Sequence, residues 1–211
     1  MAPKQAVFLE GNLFRHIAVM SLTASVGLMA VFIVDFVDLI FISMLGKSEL
    51  AAAVGYAGAI LFFTSSFGIG MAIAAGALVA RALGAGDVEE ARRKATNSLI
   101  YGVIFGALFA ALVWFNLRAL AALMGATGDT LALAVHYLAI IIPSLPFLLV
   151  GMVGGAILRA HGDAKRAMMA TVWGGIINAI LDPILIFGLN LDLTGAAIAS
   201  VVARVTMGVA A

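Results

Sequence analysis

Six apolar stretches, each long enough to cross a bilayer as a helix, constrain this chain more than any other feature. The hydrocarbon core of a membrane is about 30 Å thick, which an α-helix spans with about 20 residues. Inside that core only helices and closed barrels satisfy every backbone N–H and C=O. Divided where charges and Gly/Asn/Asp clusters interrupt the apolar runs, the sequence yields spans of 17–45, 51–83, 95–115, 131–158, 167–189 and 194–211. The expected fold class is therefore an all-α integral membrane protein with six transmembrane helices. Only 11% of residues are charged and 64% are hydrophobic, against about 25% charged in soluble domains, so the lipid bilayer is the chain's first partner. Met1 to Gly11 is too polar to supply the n- and h-regions of a signal peptide, and no small-residue cleavage site follows the first apolar block. That block is expected to stay as an anchor. The last run stops at Ala211 without a polar stop, as a short terminal helix or a piece of a longer protein would; the piece is the reading adopted.

Orientation follows from Lys and Arg, which are retained on the cytoplasmic side of membrane helices. Lys4 and Arg15 precede the first span, Arg81, Arg92, Arg93 and Lys94 surround the second connection, and Arg159, Lys165 and Arg166 surround the fourth. The opposite connections hold only Lys47 and Arg118. A multi-pass protein of the cell membrane is expected, with its N-terminus and the far end of its sixth helix cytoplasmic. The net charge of +1, with basic residues dispersed between apolar blocks, argues against a nucleic-acid partner. With no cysteine in the chain, disulfides and thiolate chemistry are absent.

The connections carry turn signals. Gly84-Ala85-Gly86-Asp87 closes the second span, with Asp87 placed to cap a short amphipathic linker, Val88 to Lys94. Gly125 to Asp129 and Gly162-Asp163 mark similar turns. Gly102 with Gly106, and Gly151 with Gly155, have the GxxxG spacing that lets helices approach closely. Packing within the chain is the expected use, ahead of a dimer interface.

Chemistry shows where ionisable groups persist inside the spans, because each costs about 2.5 to 3.5 kcal/mol on insertion scales. Asp35 and Asp38 stand three apart on the first span and share nearly one face. Asn178 precedes Asp182 by one helical turn on the fifth, and Pro183 removes the N–H that would bond the Ala179 carbonyl. Two carboxylates from separate helices can share a proton, or bind Na+ with Asn178 and a hydroxyl such as Ser200 as further ligands. The plainer reading is that they stitch helices together by hydrogen bonds. Arg204, one turn beyond Ser200, is either a counterion for an aspartate or an anchor at the cytoplasmic edge.

The run Asp38-Leu-Ile-Phe-Ile-Ser-Met-Leu-Gly46, followed by Lys-Ser-Glu-Leu-Ala-Ala-Ala-Val-Gly55, resembles the first helix-to-helix passage of multidrug and toxic compound extrusion (MATE) transporters. Gly68-Ile-Gly70, Leu78-Val-Ala-Arg-Ala-Leu-Gly-Ala-Gly-Asp87, Leu158-Arg-Ala-His-Gly-Asp163 and Asn178 to Pro183 resemble further parts of the family in order. The resemblance implies that residues 1–211 form the N-terminal six-helix lobe of a twelve-helix (6+6) transporter, the C-terminal lobe lying outside this chain. It implies an antiporter driven by H+ or Na+, without a cofactor, that expels small-molecule xenobiotics by alternating access. The cation site it implies falls on Asp38, Asn178, Asp182 and Ser200, with a hydroxyl kept at Ser200 where relatives commonly have threonine. Asp35 is an acid beyond the usual one, and Gly151, Met152 and Gly155 stand where some relatives have asparagine.

Two rival classes fit less well. A membrane enzyme is not indicated, since HExxH, GxSxG, P-loop and CxxC patterns are lacking, His136 and His161 are too far apart to suggest a metal pair, and His16 and His161 fall in basic edges. A lipid or polysaccharide flippase of the same broad superfamily would line its cavity with several basic residues, whereas only Arg204 is available. The topology is checkable because the chain lacks cysteine. A cysteine at Lys165 should react with an impermeant maleimide only from the cytoplasmic side, and one at Lys47 only from outside; the reverse pattern would invert the orientation.

Overall fold

Asn12 opens the first helix, its Oδ1 accepting the N–H groups of Phe14 and Arg15 at 3.0 and 3.3 Å. A computed structural model describes residues 12–211; Lys4 and the rest of the N-terminal flank lie outside it, as does the side chain of Asp35. Helix α1 runs Leu13–Met44, followed by α2 Ser48–Gly84, α3 Val88–Phe115, α4 Leu117–Leu123, α5 Gly128–Ile141, α6 Leu145–Ala160, α7 Ala164–Pro183 and α8 Asp192–Ala210. A 3₁₀ turn, Ile142–Ser144, joins α5 to α6, and a π turn, Ile184–Gly188, extends α7. Among the described residues, six elements are long and apolar enough to cross a membrane: α1, α2, α3, the α5–α6 unit Gly128–Ala160, the α7–π unit Ala164–Gly188, and α8. No strand occurs among the described residues.

Several helices begin earlier than their apolar runs, because the polar residues before each run form its capped first turn. Val88 to Lys94 is not a separate linker but the start of α3, where Asp87 Oδ1 accepts the Glu90 N–H at 2.8 Å. Asp163 caps α7 in the same way through the Arg166 N–H. Both turns are built alike. Gly86 and Gly162 take positive φ, and the N–H groups of Asp87 and Asp163 reach back to the carbonyls of Ala82 and Leu158, closing the preceding helix before the aspartate opens the next.

The span expected over 131–158 is one element with a break. Pro143 lacks the N–H that would bond the Ala139 carbonyl, and Trp114 Nε1 from α3 donates to that carbonyl instead, at 3.2 Å. Ser144 Oγ donates to the Ile141 carbonyl at 2.6 Å. The break is thus satisfied from within the protein, as apolar surroundings demand.

This broken element is the centre of the bundle. Helix α6 packs against α2, α3, α7 and α8, and Leu138, Ile141, Ile142, Leu145, Leu149 and Val153 are fully buried. Helix α1 lies at the edge and packs chiefly on α7. The glycine pairs serve contacts within the chain, as expected: a Cβ on Gly106 would stand 3.1 Å from Pro146 Cα, one on Gly151 3.2 Å from the Met207 backbone, and one on Gly102 3.8 Å from Val153 Cγ2.

At the end of the bundle holding the α1–α2 and α7–α8 turns, Lys47 Nζ donates to Asp192 Oδ2 at 2.8 Å, and His136 Nε2 lies 2.9 Å from Thr194 Oγ1. His161 sits at the opposite end of the α5–α6 element, its Nδ1 2.9 Å from the Ile157 carbonyl, so the two histidines do not meet. The helix contacts generate a stability test. Gly106→Leu should drive α3 from α6 and destabilise the protein by about 1 to 3 kcal/mol, lowering its thermal midpoint in detergent by several degrees. Gly58→Leu, where a Cβ meets nothing within 4 Å, should leave the midpoint nearly unchanged.

Candidate functional site

The buried residues of α7 are Ala164, Ala167, Ala170, Gly174, Asn178 and Asp182, a stripe with steps of three and four residues that is one helix face. Its small members let α8 come close, where Ala196, Ala199 and Ala203 are also buried. Asn178 and Asp182 lie on that inward stripe and are fully buried. On α1, Asp38 and Ile42 share the buried face one turn apart.

Three helices therefore meet at one carboxylate. Asn178 Nδ2 donates to Asp38 Oδ1 at 3.4 Å, and Ser200 Oγ on α8 donates to Asp38 Oδ2 at 3.3 Å. Both bonds are longer than the ordinary range for such donors. Asp182 neighbours Asp38 and Asn178, yet neither of its oxygens holds a hydrogen bond of ordinary geometry, and neither does Asn178 Oδ1. Three buried acceptors next to a second carboxylate are an arrangement that costs free energy unless a proton or cation fills it. A donor set made only of carboxylate, amide and hydroxyl oxygens suits a proton or a hard cation such as Na+, not a soft metal.

The structure brings together Asp38, Asn178, Asp182 and Ser200. Asp38 and Asp182 are both buried inside the bundle. Arg204 lies half-buried one turn beyond Ser200 on α8. Asp35 lies on α1 three residues before Asp38, its side chain outside the described residues. In the helix-four region where the resemblance left the lining open, Gly151 is filled by the Met207 backbone and Met152 Sδ packs toward Gly68, so these positions serve packing. Sequence reasoning missed the π turn directly after Asp182 and the small residues of α8 that face it; Pro183 marked a disturbed helix, but nothing in the local sequence specified the extra residue in the turn.

Comparison with known proteins identifies the family. The MatE family model matches residues 23–184. The chain is 28% identical over 206 residues to the multidrug export protein MepA of Staphylococcus aureus, covering 97% of this chain and 46% of that protein. It is 29% identical over 201 residues to MepA of Staphylococcus haemolyticus, covering 95% and 44%. It also resembles a crystal structure of a MATE protein in the bent conformation with a TM-score of 0.92 at 30% identity, over 98% of this chain and 46% of the other. A transporter of the MOP superfamily from Pyrococcus furiosus, whose binding pocket has reversed polarity, matches with a TM-score of 0.90 at 30% identity, over 98% and 45%. The chain spans about half the length of the relatives it matches. With the family model matching most of the sequence and the same helical arrangement recurring over nearly all of it, this multi-pass membrane protein belongs to the MATE family.

Proposed function

We propose that the chain is the N-terminal lobe of a cation-coupled exporter of amphipathic, often cationic, small molecules. The observation that carries this reading is the trio of buried oxygens, on Asn178 and Asp182, that lack a hydrogen bond of ordinary geometry, beside an Asp38 that accepts two long bonds. A proton or Na+ arriving there neutralises charge that the apolar bundle cannot solvate, and so favours the packing that keeps the two carboxylates together. Its departure favours a packing that separates them, most readily by moving α1, which lies at the edge of the bundle and packs chiefly on α7. The charge change thus biases two arrangements of α1 against α7 and α8, which is what alternating access requires of a coupling site. Drug export by full-length relatives named multidrug export proteins supports the substrate class, and their double length supports a second lobe that completes the pathway. The cell membrane, with the N-terminus cytoplasmic, is the proposed location.

A flippase of polyanionic lipid carriers is the alternative, and it would need a basic cavity. Helix α8 carries one basic residue, Arg204, and the part of α7 from Ala167 to Pro183, which holds Asn178 and Asp182, carries none, so the export reading is preferred.

The test is drug efflux from cells carrying the full-length gene, driven separately by proton and sodium gradients. Asp38→Asn and Asp182→Asn, at equal expression, should each reduce efflux at least tenfold, and wild-type efflux should respond to one of the two gradients. Unchanged efflux in both variants would sink the coupling reading and leave the acids structural. Ser200→Ala removes one bond worth about 1 kcal/mol and should weaken the apparent affinity for the coupling ion about fivefold, whereas Ser200→Thr, which keeps the hydroxyl, should match the wild type.

A further inference from the structure

Helix α8 approaches the π turn after Asp182 more closely than any side chain permits. A Cβ placed on Gly195 would stand 2.8 Å from the Leu185 carbonyl carbon, 2.9 Å from its oxygen and 2.9 Å from the Ile186 nitrogen. Ordinary carbon contacts lie at about 3.5 to 4.0 Å, and what blocks the way is backbone, which cannot swing aside as a side-chain tip can. The blocking peptide is itself held. The Leu185 carbonyl accepts the Leu191 N–H at 3.1 Å, the Leu189 N–H bonds the Ile184 carbonyl at 2.9 Å, and Ile186 is fully buried. Gly195 is buried as well, and its own N–H bonds the Leu191 carbonyl at 3.2 Å. The same short loop thus ties the π turn to the first turn of α8.

The consequence reaches Asp38. Ser200 stands five residues beyond Gly195 on α8, about 7.5 Å along the axis, and its bond to Asp38 is already 3.3 Å long. Relieving a Cβ at Gly195 needs a displacement of roughly half an ångström or more to restore normal contact. A shift of that size in a continuous helix carries the Ser200 hydroxyl beyond hydrogen-bonding range of Asp38. The π turn on the other side of the contact begins two residues after Asp182, and π turns concentrate at functional sites. We infer that Gly195 is a positioning residue of the coupling site: the absence of a side chain there sets the α7–α8 spacing that keeps Ser200 within reach of Asp38 next to Asp182. This inference rests on the cation-site reading proposed above.

The test is a double-mutant cycle in the full-length protein, read as the pH dependence of efflux and the apparent affinity for the coupling ion. Gly195→Ala should weaken ion affinity about fivefold and displace the pH midpoint in the same sense as Ser200→Ala. In the Ser200→Ala background it should add little, because the bond it breaks is already gone. Gly208→Ala serves as the control for general damage to α8: its Cβ would stand 2.7 Å from the Phe147 carbonyl oxygen, at the far end of the helix, so it should cost stability without moving the pH midpoint. If Gly195→Ala is not recovered folded, Ile186→Ala loosens the same contact from the π turn and should produce the same displacement, again absent in the Ser200→Ala background. Additive effects of Gly195→Ala and Ser200→Ala, or an equal displacement by Gly208→Ala, would overturn the inference while leaving the site intact. If Asp38→Asn and Ser200→Ala themselves leave ion dependence unchanged, the cation-site reading falls, and the positioning role with it.

Discussion

Asp38 accepts one hydrogen bond from α7 and one from α8 while standing on α1, so a single buried carboxylate is the point at which three membrane helices agree on their positions. Lipid gives no driving force for apolar helices to associate, since hydrocarbon tails solvate them as well as other helices do. Close packing of small residues and polar contacts must supply it. In this bundle the two devices are combined on the same faces: the alanine and glycine stripes of α7 and α8 bring the backbones together, and the polar residues set in those stripes then come within reach of Asp38.

The same economy explains the irregular turns. A proline inside a membrane helix strands a carbonyl where no water can serve it. At Pro143 the loss is made good by Trp114 from a neighbouring helix, and the break becomes part of a rigid central element. At Pro183 the helix instead widens into a π turn directly after Asp182. One proline thus supports the packed centre and the other lies beside the polar cluster. The outer ion pair Lys47–Asp192, largely exposed, contributes about 0 to 1 kcal/mol, so the bundle depends on these interior contacts and not on its surface charges.

Much of the architecture was legible in the residue order. Apolar run length gave six membrane helices because bilayer thickness is a fixed ruler. The Gly-Asp pairs at 86–87 and 162–163 marked turns because glycine takes positive φ and aspartate caps the next helix. Asp38, Asn178 and Asp182 stood out because polar groups are costly in lipid, Ser200 was marked by the family resemblance, and helical spacing alone placed Asn178 and Asp182 on one face. Less legible were the helix starts, which begin before the apolar runs because polar first turns can sit at the membrane edge, and Val88 to Lys94, which is continuous with α3 for that reason.

What the sequence determined by itself was solvent, helix number and which side chains are too polar to face lipid, since these depend on local composition and on a period of 3.6 residues. The tertiary structure alone decided that Asp38 takes donors from α7 and α8, that oxygens of Asp182 and Asn178 are buried beside it without hydrogen bonds of ordinary geometry, and that Gly195 abuts the peptide between Leu185 and Ile186. Those facts depend on distances of a few tenths of an ångström between segments up to 162 residues apart, set by how small-residue faces interlock, and no local pattern encodes them.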